Sequence, residues 1–80
     1  MTKQEVLDKL NEIFRDEFDD ESIQVTEGTT ANDIDGWDSL AHISLLAAIE
    51  DEFNIKFTMG EVTGMKNVGE MTDIVLSRIG

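Results

Sequence analysis

The sequence predicts an all-α protein, a four-helix bundle with three main helices, one short third helix and a long loop between helices one and two. Apolar residues recur at the spacing of one helix face in three separate segments. Residues that favour helix N-termini stand at the start of these segments. Because 80 residues leave room for only one core, we expect residues 1–80 to form a single domain.

The first helix is predicted over residues 4–18, where one face carries Val6, Leu7, Leu10, Ile13, Phe14 and Phe18. Thr2 and Glu5 have the spacing of a capping box at its start. Residues 19–38 are mixed polar and acidic and predict a long connection, anchored in the core by Ile23, Val25 and Ile34. A loop of this length in a compact domain is expected either to pack or to serve a function.

The second helix is predicted from Ser39 to Phe53, and its apolar residues lie on more than one side: Leu40, Ile43, Leu46, Ala47 and Ile49. Such a helix is either central in a bundle or offers a docking surface. Asn54 is expected to end it. Residues 55–57 are expected to be extended, and residues 61–65 to form the short third helix.

The last helix is predicted to begin after Asn67, which caps it, with Glu70 at the third position. Its inward face is expected to carry Val68, Met71, Ile74, Val75 and Ile79. We interpret the apolar faces of helices one, two and four first of all as the core. Three methionines, Met59, Met65 and Met71, would make such a core adaptable.

The charge balance excludes one large class of partner. Asp and Glu number 18 against 6 Lys and Arg, a formal net charge of −12. We expect no nucleic-acid partner, because phosphate contacts require basic residues, and we favour proteins with basic patches. The chain has no cysteine and no apolar run of the roughly 18 residues that a membrane span needs. Its first residues lack the apolar core of a signal peptide, so we expect none. We therefore expect a cytoplasmic monomer that does not insert into membranes.

The stretch Gly36-Trp37-Asp38-Ser39-Leu40 is the most informative part of the chain. Ser39 would lie at a helix N-terminus, where backbone N–H groups and the helix dipole favour an anionic substituent. Asp38 is a preferred N-cap residue, and Gly36 would relax the turn into the helix. An ordinary helix cap is the simpler interpretation of Ser39, and an attachment point is the one that we favour.

Asp38-Ser39-Leu40, preceded by Gly36-Trp37 and followed by an apolar helix ending in Glu50-Asp51-Glu52-Phe53, resembles the acyl carrier proteins. The resemblance covers nearly the whole chain and implies one carrier domain, residues 1–80, that is not an enzyme. It implies that Ser39 is esterified with 4'-phosphopantetheine by a phosphopantetheinyl transferase that uses coenzyme A. The thiol of that arm would hold acyl groups as thioesters and deliver them to partner enzymes.

The same resemblance implies a docking surface on the second helix, formed by Asp38, Leu40, Ile43, Ala47, Glu50 and Asp51. Acyl-loading, synthase or acyltransferase enzymes with basic patches would bind there. Acidic residues at a helix C-terminus oppose the dipole, so Glu50 and Asp51 are expected to have a functional reason. Asp38 is further implied to orient the Ser39 hydroxyl or to help hold the metal of the transferase.

A catalytic site at Ser39 is the first alternative. His42 lies one helical turn away and could serve as a base, but no third residue that would orient its imidazole can be identified. The glycine positions of a nucleophile elbow hold Trp37 and Ala41. We therefore predict no catalytic residue and expect His42 to face solvent, with contact to a partner as a second possibility.

A calcium site is the second alternative, because Asp33, Asp35 and Gly36 imitate part of an EF-hand loop. Placing Gly36 at the sixth loop position puts Ala31 at the first and His42 at the last, and neither suits calcium. We predict no dedicated metal site.

Several residues depart from the pattern of the housekeeping fatty-acid carriers. Ala41 and Ser44 stand where those carriers usually have acids, Trp37 is unusually bulky, and residues 58–60 replace a commonly acidic segment. These departures favour a carrier for a specialised pathway, such as fatty-acid-like, polyketide, modified-lipid or saccharide-acylating synthesis. The alternatives are an amino-acyl or peptidyl carrier and, from another class, an acidic helical adaptor without a prosthetic group.

Overall fold

The protein, described by a computed structural model over residues 1–79, contains four α-helices and no strand within that range. The helices are α1 (Lys3–Glu17), α2 (Ser39–Phe53), α3 (Met59–Gly64) and α4 (Val68–Ile79). A single 3-10 turn, Ala31–Asp33, which the sequence did not predict, lies in the connection between α1 and α2. The predicted all-α fold with a short third helix is confirmed, and α2 has the predicted bounds.

Helix α3 begins earlier than the sequence predicted, at Met59 instead of near Glu61. The Thr58 hydroxyl accepts a hydrogen bond from the Glu61 N–H, and the Glu61 carboxylate accepts one from the Thr58 N–H. This capping box makes Glu61 the third residue of the helix, not its start. Residues 55–57, predicted to be extended, belong to no helix or strand.

The hydrophobic core is built around α1, which packs against α2 and α4. Its buried apolar residues are Val6, Leu10, Ile13, Phe14, Val25, Leu45, Leu46, Ile49, Ile55, Val68, Met71 and Val75. Two residues predicted for the inward face of α4, Ile74 and Ile79, are only half-buried. Thr72 is buried instead. Its hydroxyl donates to the Val68 carbonyl, so the polar group has a hydrogen-bond partner within the helix.

The ends of the helices follow the predicted caps. Thr2 and Glu5 form a capping box before α1, with the Thr2 hydroxyl accepting from the Glu5 N–H at 3.2 Å. The Asn67 side-chain oxygen accepts from the Glu70 N–H at 2.9 Å and so caps α4. Asn54 ends α2 in the left-handed conformation, with φ of 55°. Each cap satisfies backbone groups that the helix leaves unpaired.

The long loop between α1 and α2 is fixed to α1 by the buried side chain of Asn11. Its amide nitrogen donates to the carbonyl oxygens of Val25 at 3.2 Å and Leu7 at 3.0 Å. Its oxygen accepts from the Val25 N–H at 2.7 Å. Because both backbone groups of Val25 are satisfied, its side chain can be buried to 2% exposure in the core. Ile23 and Ile34, the other predicted anchors, are half-buried against the same core.

A second attachment joins this loop to the start of α4. The Val68 N–H donates to the Thr29 carbonyl at 2.9 Å, and the Gly69 N–H donates to the Glu27 carbonyl at 2.8 Å. A Cβ at position 69 would lie 2.8 Å from that Glu27 oxygen, so the close approach requires glycine. The Lys3 ammonium adds ion pairs to Glu27 and Asp73, whose hydrogen bonds raise the pKa of Lys3.

Replacing Asn11 tests whether its side chain holds the loop. Asn11→Ala leaves the buried N–H and carbonyl of Val25 without partners, so we expect the free energy of unfolding to fall by about 2–4 kcal/mol in urea denaturation. Gln4→Ala, which removes an exposed hydrogen bond to Asp8 on the same helix, serves as the control and should change it by less than about 0.5 kcal/mol. Equal effects of the two substitutions would contradict this role for Asn11.

Candidate functional site

Ser39 is the first residue of α2, and its side chain is exposed. The preceding Asp38 is the N-cap, as predicted, because its carboxylate accepts from the Ala41 N–H at 2.8 Å. The Asp38 carbonyl accepts from the His42 N–H at 2.9 Å and begins the helical hydrogen bonds. Since Asp38 does the capping, the Ser39 hydroxyl is left free at the positive end of the helix.

The turn that leads to Ser39 depends on Gly36, whose φ is +86°. This left-handed conformation is one that residues with a Cβ rarely adopt, which agrees with the predicted relaxing role of Gly36. The nearest atom to an added Cβ would be Cδ1 of Phe18 at 4.0 Å, so backbone conformation, not crowding, calls for glycine here.

Trp37 attaches this turn to the core. Its ring meets the Phe14 ring edge-on, with centroids 5.1 Å apart and an interplanar angle of 81°, and lies 6.4 Å from the Phe18 ring. Its indole Nε1–H donates to Nδ1 of His42 at 3.1 Å. The bulky residue beside Ser39 therefore fixes the start of α2 against α1.

The prediction that His42 faces solvent is wrong. Its half-buried ring lies 5.8 Å from the Trp37 ring, and its Nε2 is 3.1 Å from the carbonyl oxygen of Val62 in α3. The indole N–H can only donate, so Nδ1 accepts and the proton of the neutral ring is on Nε2, which donates to Val62. Both nitrogens are engaged, so neither is available as a base for Ser39.

A cavity of about 560 Å³ opens beside Ser39 between α2, α3 and α4. Ser39, Trp37 and His42 form one side of it, and Met59, Val62 and Met71 are among the residues that line the rest. Met65 also lines it, so all three methionines that the sequence singled out lie at this cavity. Its volume falls in the range of small-ligand sites.

The outer face of α2 is apolar near Ser39. Leu40 is 77% and Ile43 62% exposed, and both continue along one face of the helix to exposed Ala47 and Asp51. Met59, 78% exposed, extends the apolar surface onto α3. Five of the six residues predicted for docking are thus exposed, and the sixth, Glu50, is half-buried.

Glu50, also predicted for docking, is half-buried, and its carboxylate accepts from the Phe57 N–H at 2.8 Å. An acid near the C-terminus of a helix opposes the dipole, and this hydrogen bond offsets that cost. Glu50 therefore holds the segment that leads from α2 to α3, a structural role that the sequence did not predict.

Helix α3, whose Met59, Val62 and Thr63 line the cavity, is held by two contacts that sequence reasoning missed. One is the His42–Val62 hydrogen bond described above. The other is Arg78, whose guanidinium pairs with Glu61 and donates to the Lys56 carbonyl at 2.8 Å. The pKa of Glu61 is lowered by the Thr58 N–H first and by Arg78 as well. No residue of α3 is buried, so these polar ties and half-buried Val62 position it.

The described part of the chain contains no group of three or more His, Asp or Glu side chains that could hold a metal ion. None of its helices is long and apolar enough to cross a membrane.

Comparison with known proteins identifies the class to which this fold and site belong. Residues 5–75 match the model of the phosphopantetheine attachment site family. An acyl carrier protein of Lactobacillus acidophilus is 28% identical over the full length of both chains. One of Cyanidium caldarium is 32% identical, covering 99% of this chain and 92% of its own. The solution structure of a holo acyl carrier protein from Geobacter metallireducens has a TM-score of 0.88 and 49% identity, covering 92% of this chain and 85% of that one.

The chain belongs to the acyl carrier protein family. Its prosthetic group is 4'-phosphopantetheine, and it is a non-catalytic carrier. The site fits that group, because an exposed hydroxyl stands at a helix N-terminus beside a cavity.

Proposed function

We propose that Ser39 carries the 4'-phosphopantetheine arm and that a phosphopantetheinyl transferase attaches it from coenzyme A. The observation that carries this proposal is the exposed Ser39 hydroxyl at the start of α2, directly after the N-cap Asp38 and within the matched residues 5–75. The engagement of both His42 nitrogens supports it further, since Ser39 has no base and needs an enzyme to react.

When bound, the arm supplies a thiol that holds acyl intermediates as thioesters. The residues of this chain bind and orient it. The N–H groups and dipole at the start of α2 favour the phosphodiester charge, and the cavity beside Ser39 offers apolar surface. Asp38 orients the hydroxyl or helps to hold the metal of the transferase, a role compatible with its exposure.

Partner enzymes dock, in this proposal, on the outer face of α2. Leu40, Ile43 and Ala47 supply apolar contact, while Asp38, Asp51 and the free oxygen of Glu50 attract basic patches. The net charge of −12 strengthens this attraction over longer distances.

Loading of the arm tests the attachment site. We expect intact mass spectrometry to show addition of one 4'-phosphopantetheine after incubation with coenzyme A and a broad-specificity transferase, and none on Ser39→Ala, because no other residue offers that hydroxyl. The matched control is Ser44→Ala, which removes the next serine of α2, also exposed. This variant should load fully. Equal mass gain on Ser39→Ala would reject the site. An acidic adaptor would instead give no gain on any variant and retain its function in Ser39→Ala.

Docking is tested by reversing one charge. Asp51→Lys should lower the kcat/KM of the transferase about threefold to tenfold, because like charges would then face each other at the interface. Glu12→Lys makes the same change on the exposed side of α1 and should alter kcat/KM less than twofold. Equal losses would show that only the net charge matters and would contradict docking on α2.

We further propose that the pathway is a specialised one, supplying acyl groups to fatty-acid-like, polyketide or other lipid synthesis. Ala41 and Ser44 leave the start of α2 without the acids of housekeeping carriers, and Ser44 donates instead to Glu17 of α1. Exposed Leu40, Ile43 and Met59 make this face apolar. The acidic composition favours acyl cargo over an amino-acyl or peptidyl one.

The specialised pathway is tested by comparing this protein with a housekeeping carrier as substrates of the same enzymes. We expect the condensing enzymes of general fatty-acid synthesis to elongate the acylated holo protein at least about tenfold more slowly than a housekeeping carrier, since the acidic contacts are missing. Rates should be compared by mass spectrometry at equal concentrations of the two holo carriers. Equal rates would contradict a specialised pathway, and adenylation-dependent loading with an amino acid would favour the alternative cargo.

A further inference from the structure

His42 connects three parts of the site through its two ring nitrogens. On one side it accepts from the Trp37 indole, which is itself packed on Phe14 and Phe18 of α1 and the loop after it. On the other side Nε2 donates to the Val62 carbonyl of α3. The chain of contacts therefore runs from the hydrophobic core, through the turn before Ser39, to α3, which lines the cavity.

This arrangement selects one form of the imidazole. Only the neutral ring with its proton on Nε2 can accept from Trp37 and donate to Val62 at the same time. The indole thus sets which nitrogen of His42 carries the proton and turns that proton toward α3. A histidine whose only role was to fill space would not require this pairing of donor and acceptor.

Helix α3 is the part of the structure that such a contact can control. It has six residues, none of them buried, and polar ties hold it beside the cavity. Regions with little buried apolar surface open at a lower free-energy cost than the rest of a protein. Removal of the His42–Val62 hydrogen bond would therefore release the side of α3 that faces Ser39. The core formed by α1, α2 and α4 would stay folded.

We propose that His42, oriented by Trp37, is a positioning residue that holds α3 closed over the cavity and so sets how long cargo attached at Ser39 is shielded from solvent. The shielding of cargo rests on the proposed attachment at Ser39, whereas the closure of α3 does not. The two parts are tested separately, on the apo and on the loaded protein.

The apo protein tests the closure. His42→Ala should increase hydrogen exchange of the α3 amides about 5- to 30-fold, the factor that corresponds to losing about 1–2 kcal/mol of hydrogen bonding. Trp37→Phe keeps an aromatic ring against Phe14 while removing the N–H donor, so it should increase exchange in α3 by up to about fivefold. Amides of α1 should change less than twofold in both variants.

Glu52→Ala is the matched control for the apo experiment, because Glu52 is exposed on the same helix and takes no part in the tie. It should leave exchange in α3 unchanged. Exchange that rises equally in α1, α3 and α4 of His42→Ala would show general destabilisation and overturn the proposal, as would no change in α3.

The protonation state of His42 gives an independent test on the unmodified protein. Long-range ¹⁵N–¹H spectra should show a proton on Nε2 and none on Nδ1 at pH 7.5, and the same spectra of Trp37→Phe should show a weaker preference for this form. A proton on Nδ1 in the unmodified protein would overturn the proposed orientation by Trp37.

The loaded protein tests the shielding, with octanoyl as the cargo. Hydroxylamine attacks the thioester carbonyl through its nitrogen, the C–S bond breaks, and the products are octanoyl hydroxamate and the free thiol of the arm. The second-order rate should rise in His42→Ala by about the factor seen for α3 exchange, and it should be unchanged in Glu52→Ala.

The outcomes separate the two proposals. Failure of the unmodified protein to gain mass would reject the attachment at Ser39 and leave the closure of α3 to the apo experiment. Full loading with equal hydroxylamine rates in the unmodified protein and His42→Ala would reject the shielding of cargo while Ser39 stands.

Discussion

The structure depends most on the side chain of Asn11, a buried amide that supplies backbone hydrogen-bond partners to the loop at Val25. It pairs with both the N–H and the carbonyl of Val25, much as an adjacent strand would. Without such a partner the loop could not enter the core, because buried backbone groups must be satisfied. The long connection is thereby fixed to α1 at Val25. Its path then leads past the start of α4 to α2.

The position of Ser39 follows from that course. The loop leaves its attachment to α4 at Thr29 and reaches α2 through Gly36 and Trp37. Trp37 packs on the aromatic rings of Phe14 and Phe18, so the turn before Ser39 is supported from beneath by the core. The hydroxyl is consequently exposed but well positioned, as the proposed attachment of an arm by another enzyme requires.

Local signals explain why so much was predictable. Helix periodicity, the caps at Thr2 and Asn67 and the end of α2 at Asn54 involve residues within a few positions of one another, and all were found in the sequence. The contacts of Asn11, His42 and Arg78 were missed because their partners lie 14, 20 and 22 residues away. A single polar residue on a helix carries no periodic signal of such a partner, so only the fold reveals these contacts.

The core and helix α3 are stabilised by contacts of different strength. Apolar side chains buried in α1, α2 and α4 each contribute about 1.5–3 kcal/mol, whereas a hydrogen bond contributes about 0.5–1.5 kcal/mol net. Helix α3 buries no residue and is held through Val62, Glu61 and the bonds of His42 and Arg78. Its free energy of opening is therefore set by a few polar contacts, and it can move without disturbing the core that positions Ser39. In the proposed function, an exposed attachment point on a fixed helix, beside a short helix held by a few weak bonds, lets one small bundle both hold a cargo and release it.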